Sequence, residues 1–201
     1  MLRRLIVLVI SGVLAVAALL AWSSGDQQIP GFPAATSAAP SAAPPSGVDP
    51  GHPAGLPTAP AASAETATVV RVVDGDTLVV DRGTGNERVR LVGVDTPETV
   101  APNAPIECFG PEASAYLTGL LSGASVRLEP DPSQADADRY GRLLRYVWVG
   151  TEAGGWESVE ALLLAGGFAE PYRDTHARKG GFDALAAEAQ SANRGLWGAC
   201  S

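Results

Sequence analysis

The stretch VRLVGVDTPE, residues 89–98, combines the end of a strand with two carboxylates three positions apart. Its apolar residues alternate up to Val94, which is the pattern of a half-buried strand in a sheet or barrel. Pro97 has no N–H to donate to a sheet ladder, so the strand ends before it. Asp95 therefore falls at a strand end and Glu98 on the following turn, where side chains usually face a cleft or solvent. Asp-x-Pro is also common strand punctuation, and this segment alone does not separate the two interpretations.

Two more strands are predicted before this segment. TATVVRVV at 66–73 is β-branched and alternating, DGD interrupts it as a tight turn, and TLVV at 77–80 resumes the strand pattern. The polar stretch DRGTGNE then forms a hairpin loop before RVRLVGV at 88–94. The sequence therefore predicts three strands in a meander.

Helices and strands follow in the second half of the chain. GPEASAYLTGLLSG at 110–123 predicts a helix, because Pro111 suits a first turn and Glu112 complements the helix dipole. ASVRLEP and RLLRYVWVG predict two strands, and ESVEALLLAGG and residues 181–193 predict two helices. Five strands and three helices in this order indicate an α+β protein, with a five-stranded OB-fold barrel as the leading candidate. Composition alone leaves another α+β sheet open.

Two segments of different composition precede this domain. Residues 1–23 place two arginines before a long uncharged apolar run, which is typical of a cleaved signal peptide or an N-terminal membrane anchor. Residues 24–64 contain nine of the sixteen prolines and little to bury, so we expect a disordered linker rich in Pro, Ala, Ser and Gly. One globular domain is expected at 65–201. It would lie outside the cell or in the cell envelope, either secreted or tethered to the membrane.

The chain has two cysteines, Cys108 and Cys200, both in the domain predicted to be exported. An even count in an oxidising compartment favours one disulfide between them. The alternative is a pair of buried free thiols. A zinc site is not expected, since two cysteines without nearby histidines do not complete a tetrahedron.

The turn between the first two strands supplies more carboxylates. DGD places Asp74 and Asp76 on either side of a glycine. If residues 77–80 pair with 89–94, Asp76 and Asp95 meet at one end of the sheet. Two carboxylates with carbonyl or water oxygens suit a hard divalent cation such as calcium or magnesium. The alternative for DGD is a simple Asx turn.

Two arginines accompany these carboxylates in the sequence. Arg90 lies in the strand that ends in the acidic turn, and Arg142 follows DRYG before the fifth strand. Guanidinium groups bind phosphate oxygens in bidentate fashion, so a metal flanked by two arginines indicates a phosphodiester site. The alternative is an ordinary Arg–Asp ion pair inside the barrel.

Taken together, DGDT, VRLVGVDTPE, FGPEASAYL, DRYGR and ESVEALLLAGGFA occur in the order and spacing of the thermonuclease (staphylococcal nuclease-like) family. The resemblance covers about residues 66–197. It implies an OB-fold barrel with three helices, and calcium-dependent cleavage of DNA and RNA that leaves 3′-phosphate and 5′-hydroxyl ends. A monomer is expected. A non-catalytic relative that binds nucleic acid or protein is the alternative.

The resemblance also implies roles for individual residues. The residues that match calcium ligands are Asp76, Asp95 and, through its main-chain carbonyl, Thr96. Glu98 matches the general base or water-orienting group, while Arg90 and Arg142 match the arginines that bind the scissile phosphate. The positions that match nucleotide contacts are Arg139, Tyr140 and Tyr172. The spacing before Tyr172 differs from the family pattern.

The charge balance departs from the family's best-known, strongly basic member. Residues 65–201 contain twelve Lys and Arg against twenty Asp and Glu. Because affinity for long nucleic acids comes largely from cationic neutralisation of phosphates, we expect weak, salt-sensitive binding. We expect His176 to be solvated near the third helix, and the acidic loop DPSQADAD to be solvated rather than a second cation site. A nucleotide-triphosphatase is excluded, because no glycine-rich loop precedes Lys179, the one lysine in the sequence.

Overall fold

A closed barrel of five long strands forms the body of the domain in this computed structural model, which describes residues 55–99 and 105–200. In chain order the strands are β1 (Glu65–Val72), β2 (Thr77–Asp81), β3 (Asn86–Leu91), β4 (Val94–Asp95), β5 (Ser125–Pro130), β6 (Leu143–Gly150), β7 (Trp156–Ser158) and β8 (Glu170–Pro171). The helices are α1 (Gly110–Leu121), α2 (Val159–Gly166), α3 (Lys179–Ser191) and the single turn α4 (Leu196–Ala199).

The barrel closes because its two outer long strands meet. The sheet order is β3-β2-β1-β5-β6-β7, and β3 also pairs in parallel with β6 through Val89 and Leu143. All other neighbours in this sheet are antiparallel. The α+β prediction of a five-stranded OB-fold barrel with three helices is therefore confirmed.

Alternating residues of the long strands point into the barrel and form its core. Val69, Leu78, Val89, Leu128 and Val147 are almost fully buried there. On α3, four residues spaced three or four positions apart are all buried: Phe182, Leu185, Ala186 and Ala189. The period-2 and 3.6-residue patterns of the sequence thus correspond to the inward faces of strands and helices.

The chain predicted to form one strand at 88–94 forms two strands with a turn between them. β3 ends at Leu91, and Gly93 turns the chain in the left-handed region with φ +82°. A Cβ on Gly93 would lie 2.5 Å from Cε1 of His176, so the turn also needs the absence of a side chain. The chain then forms β4, which pairs with β8 through Val94–Pro171 and Asp95–Glu170. This break carries Asp95 out of the barrel wall to its rim.

The two predicted N-terminal segments fall mostly outside the described residues. Residues 1–23 lie wholly outside, and of the predicted linker only residues 55–64 are described. Leu56 packs against the core, where the Cβ position of Gly181 would lie 2.5 Å from its Cγ, and Ala64 is buried. Within the described ranges, no helix has both the length and the apolar character needed to cross a membrane.

The predicted disulfide is present between Cys108 and Cys200, whose Cα atoms are 5.8 Å apart. It joins the segment just before α1 to the residue just after α4. Both cysteines are therefore paired, and the alternative of two free thiols is wrong.

Candidate active site

A cavity of about 440 Å³ opens at the barrel rim, where β3 turns into β4. It is lined by every residue predicted as a metal ligand or catalytic group, and by one of the predicted nucleotide contacts: Asp76, Arg90, Asp95, Thr96, Glu98, Arg142 and Tyr172. Residues more than sixty positions apart in sequence meet here because β2, β3 and β6 are neighbours in the closed barrel.

Asp76 is fixed at the floor of this cavity by three hydrogen bonds. Oγ1–H of Thr77 donates to Oδ1 at 3.1 Å, and the backbone N–H and Oγ1–H of Thr96 donate to Oδ2 at 3.1 and 3.2 Å. Thr96 comes this close because Gly75 has no side chain. A Cβ on Gly75 would lie 2.5 Å from Oγ1 of Thr96.

Arg90 brings the two predicted calcium carboxylates together. Its Nη2 donates to Asp95 Oδ1 at 3.1 Å and lies 3.1 Å from Asp76 Oδ2. Its Nη1 donates to the carbonyls of Leu91 and Val94 at 3.0 and 2.8 Å, which fixes the plane of the guanidinium. Asp76 and Asp95 thus converge, as the pairing of Thr77 with Arg90 predicts. The Arg–Asp ion pair considered as the alternative is also present.

Negative charge accumulates around this guanidinium. The pKa of Asp95 is raised, chiefly by partial desolvation of its carboxyl, and the charges of Glu170 and Glu107 add to this against the opposing effect of Arg90. The pKa of Asp74 is raised by burial and by the charge of Asp76. A cation near these carboxylates would therefore be electrostatically favoured.

The donor set fits a hard cation held by few protein ligands. Within residues 55–99 and 105–200, no group of three or more His, Cys, Asp and Glu side chains is placed to hold a metal ion. Asp76 and Asp95 direct carboxylate oxygens to the same nitrogen of Arg90, and Thr96, which follows Asp95, contacts Asp76 through its N–H. Oxygen-only ligands completed by water suit calcium or magnesium, and they do not suit a thiophilic metal.

Glu98 stands on the turn that follows Pro97, at the wall of the same cavity. Its side chain Oε1 accepts the N–H of Thr99 at 2.8 Å. Its own N–H donates to Oε2 of Glu107 at 2.9 Å, and its carbonyl accepts the N–H of Glu107 at 3.0 Å. The turn is therefore fixed by hydrogen bonds to the next residue, Thr99, and to Glu107 further along the chain.

Arg142 is oriented by a residue that the sequence analysis did not single out. Asp138 Oδ2 accepts the Nε–H of Arg142 at 2.7 Å, and Oδ1 accepts the backbone N–H groups of Arg142 and Tyr140, both at 2.9 Å. Burial alone would raise the pKa of Asp138, but these hydrogen bonds and the Arg142 charge lower it. The carboxylate is therefore charged and aims Arg142 into the cavity. The available signal was the aspartate of DRYGR, because Asp side chains commonly accept backbone N–H groups in turns.

The predicted nucleotide contacts divide between two places. Tyr172 lines the cavity, with its ring 5.8 Å from the Arg90 guanidinium and its N–H donating to the Gly93 carbonyl at 3.0 Å. Tyr140 is 67% exposed, and Arg139 lies over its ring at 4.7 Å and donates to its hydroxyl at 2.6 Å. Arg139 and Tyr140 do not line the cavity and form an exposed pair on the loop that carries Arg142.

The expectation that His176 is solvated was wrong, whereas the acidic loop at 131–138 is exposed or half-buried except at its first residue, Asp131. His176 is only 6% exposed and lines the cavity, with its ring packed against Gly93. Asp131, the first residue of the acidic loop, is 4% exposed and accepts the Tyr146 hydroxyl at 2.7 Å, and that hydroxyl lies 3.0 Å from His176 Nδ1. The pKa of His176 is lowered by burial. A lone histidine and a polar loop carry no periodicity, so only the tertiary fold reveals this buried network.

An OB-type barrel with converging carboxylates and two arginines at its rim defines the class of this domain. The profile of the family described as "SNase: Staphylococcal nuclease homologue" matches residues 88–199, and the chain belongs to this family. It is 48% identical over 91 residues to the thermonuclease of Staphylococcus hyicus, covering 45% of this chain and 53% of that protein. It is 50% identical over 88 residues to the thermonuclease of Staphylococcus intermedius, covering 44% and 51%.

A further relative comes from another genus. Endonuclease YncB of Bacillus subtilis is 38% identical over 102 residues, covering 51% of this chain and 46% of that protein. The chain thus spans about half the length of the curated relatives it matches.

Proposed function

We propose that the protein is an exported, calcium-dependent nuclease that hydrolyses phosphodiester bonds of DNA and RNA and leaves 3′-phosphate and 5′-hydroxyl ends. The observation that carries this proposal is the meeting of Asp76 and Asp95 at Arg90, in one cavity with Glu98 and Arg142. The names of the relatives, two thermonucleases and an endonuclease, support the same reaction class.

Each residue has a role that follows from its chemistry. Asp76, Asp95 and the Thr96 carbonyl would hold calcium, which supplies Lewis-acid polarisation of a phosphate oxygen when bound. Arg90 and Arg142 donate to the non-bridging oxygens of the scissile phosphate and stabilise the charge that develops there. Glu98 orients a water and accepts its proton as the water oxygen bonds to phosphorus. The bond from phosphorus to the 5′ oxygen then breaks, the leaving oxygen takes a proton from solvent to become the 5′-hydroxyl, and the phosphate stays on the 3′ side.

The surroundings of the cavity bear on substrate binding. Tyr172 offers an aromatic face inside the cavity, while Tyr140 and Arg139 offer an aromatic and a cation just outside it. A base stacked on an aromatic ring gains binding energy that does not depend on cationic side chains, which suits a domain with more acidic than basic residues. We therefore propose that DNA and RNA bind as single strands. We also propose that the protein is a monomer, and that it is either secreted or tethered to a membrane by residues 1–23.

The test measures cleavage of single-stranded DNA by the full-length protein, with calcium or with a chelator. We expect cleavage only with calcium. We expect Glu98→Gln to lower kcat by about 10²–10⁴-fold, because a positioned base is removed while the shape of the side chain is kept. Glu112→Gln is the matched control, because Glu112 is an exposed acid on α1 away from the cavity.

Three outcomes would contradict parts of the proposal. Undiminished cleavage in chelator would refute the metal assignment. A Glu98→Gln protein as active as wild type would refute the role of Glu98. DNA binding without any cleavage by the wild-type protein would identify the non-catalytic alternative instead.

A further inference from the structure

The segment just before α1 lies against the turn that carries Glu98. Glu107 and Glu98 exchange two hydrogen bonds: the Glu98 N–H donates to Oε2 of Glu107 at 2.9 Å, and the Glu107 N–H donates to the Glu98 carbonyl at 3.0 Å. One of these bonds uses a side chain, so it depends on the identity of residue 107. Of the four groups that form these two hydrogen bonds, three belong to the backbone. The Glu107 carboxylate is the fourth, and a substitution can remove it.

A close packing contact accompanies this pair of hydrogen bonds. Gly110 begins α1, and a Cβ built on it would lie 2.7 Å from Cγ2 of Thr99 and 3.0 Å from the carbonyl oxygen of Pro97. Thr99 in turn donates its N–H to Oε1 of Glu98 at 2.8 Å. The start of α1 therefore contacts the residues before and after Glu98, which are Pro97 and Thr99. The Thr99 N–H in turn orients the Glu98 carboxylate.

We propose that Glu107 is a positioning residue for Glu98: it fixes the backbone of the turn so that the Glu98 carboxylate faces the cavity. This inference rests on the proposed function, in which Glu98 handles the attacking water. Glu107 contacts the backbone of Glu98 and does not itself line the cavity. Since misplacement of a catalytic group by about 1 Å can cost about 100-fold in rate, loss of this contact should lower kcat.

Two variants separate the hydrogen bond from a general structural effect. Glu107→Ala removes the acceptor, whereas Glu107→Gln keeps a side-chain oxygen that can accept the Glu98 N–H. We expect Glu107→Ala to lower kcat by about tenfold or more with KM within about twofold, and Glu107→Gln to stay within about threefold of wild type. Glu112→Gln is again the control for loss of an acidic group near the start of α1. All rates are measured on full-length protein well below its Tm.

Hydrogen exchange of the Glu98 amide, followed by NMR, tests the contact without relying on activity. We expect this amide to be protected in wild type and in Glu107→Gln, and to exchange faster in Glu107→Ala. Unchanged exchange in Glu107→Ala would overturn the proposal, as would an unchanged kcat in that variant. A similar loss of kcat in both Glu107 variants would also overturn it. Absence of cleavage by wild type would refute the proposed function instead, and the exchange measurement would still decide whether Glu107 holds the turn.

Discussion

Gly75 shows how one residue without a side chain determines the geometry of the site. It lies between Asp74 and Asp76, and the Thr96 side chain occupies the space where its Cβ would stand. Thr96 uses that proximity to donate two hydrogen bonds to Asp76. The glycine of DGDT is thus explained by close approach as well as by turn formation.

We predict that Gly75→Ala lowers both thermal stability and calcium-dependent cleavage. The new Cβ would lie 2.5–2.9 Å from three atoms of Thr96, so Thr96 or the turn must move and the hydrogen bonds to Asp76 weaken. Circular dichroism melting and a cleavage assay measure the two effects. Gly119→Ala is the matched control, because no atom lies within 4 Å of its Cβ position and α1 should gain about 1 kcal/mol from it. A Gly75→Ala protein as stable and active as wild type would contradict this account.

Individual site residues were predictable to different degrees. Asp76 and Asp95 could be placed together from the sequence, because pairing of 77–80 with 89–94 follows from period-2 alternation and a hairpin loop. Asp138 and Glu107 were not predicted, because each acts through hydrogen bonds that depend on loop conformation. His176 was misplaced for a related reason, since its burial depends on Phe182 of α3 packing against the turn at Gly93.

Among the elements, α2 is attached to the barrel by a buried acid at its first turn. Glu160 is fully buried, and its Oε1 accepts the N–H of Val147 in β6 at 2.8 Å. Its Oε2 accepts the hydroxyl of Ser158, the N-cap of α2, at 2.9 Å. Burial raises the pKa of Glu160 to about 7, although hydrogen bonds and the positive charge of Arg178 act against this rise.

This raised pKa predicts a pH dependence of stability. The native state holds the Glu160 proton up to about pH 7, whereas the unfolded state releases it at its ordinary pKa of 4.5. Stability from this group is therefore greatest below pH 4.5 and is lost as pH rises through about 7. We measure the Tm of wild type minus the Tm of Glu160→Gln. We expect this difference to increase by several degrees as the pH is lowered from about 8 to about 5.

The comparison with Glu160→Gln is needed because His176 acts in the opposite direction. Its lowered pKa contributes stability above the ordinary value of 6.5, and this stability is lost as pH falls through the native value. Glutamine keeps an oxygen for Val147 and an N–H₂ for Ser158, so it isolates the proton on Glu160. A Tm difference between the two proteins that stays constant from pH 8 to pH 5 would refute the assignment.

Long periodic elements were predicted from the sequence, and short ones were not. The five long strands and three helices each contain enough residues for their period to appear. Caps add a further signal for α2: the Ser158 side chain caps its N-terminus, and Gly167 ends it in the left-handed conformation. β4, β7 and β8 span only two or three residues each, so no alternation can be read from them. β4 pairs with β8, and β7 pairs with β6. These short strands therefore depend on which segments the folded barrel brings side by side.

At the scale of the whole molecule, one covalent bond connects the segment beside the cavity wall to the C-terminal end of the domain. Cys108 follows Glu107 directly, and Cys200 follows α4, which packs against α3. The bond spans 92 residues of sequence, which include α1, β5, β6, α2 and α3. Breaking it therefore frees most of the domain in the unfolded state while leaving the noncovalent contacts of the folded state in place.

We predict that reduction of this disulfide lowers the Tm substantially while it changes cleavage only slightly. In the chain-entropy model a closed loop of this length stabilises by roughly 4–5 kcal/mol, less any strain, which corresponds to a fall in Tm of roughly 10 °C or more for a domain of this size. Below the new Tm, the hydrogen bonds between Glu98 and Glu107 and the packing of Gly110 remain, so we expect kcat within about threefold of the oxidised protein.

Both cysteines are exposed, so a small dithiol can reach the bond in the folded protein. Calorimetry with and without the dithiol gives the change in Tm, and the Cys108→Ser, Cys200→Ser double variant is the control, because its Tm should match the reduced protein and be insensitive to the dithiol. Non-reducing digestion and mass spectrometry check the pairing directly, and free thiols or an intermolecular bridge would refute it. An unchanged Tm on complete reduction would show that the noncovalent contacts of the C-terminal end suffice. A loss of kcat larger than the loss of folded protein would show that the bond also holds the Glu98 turn.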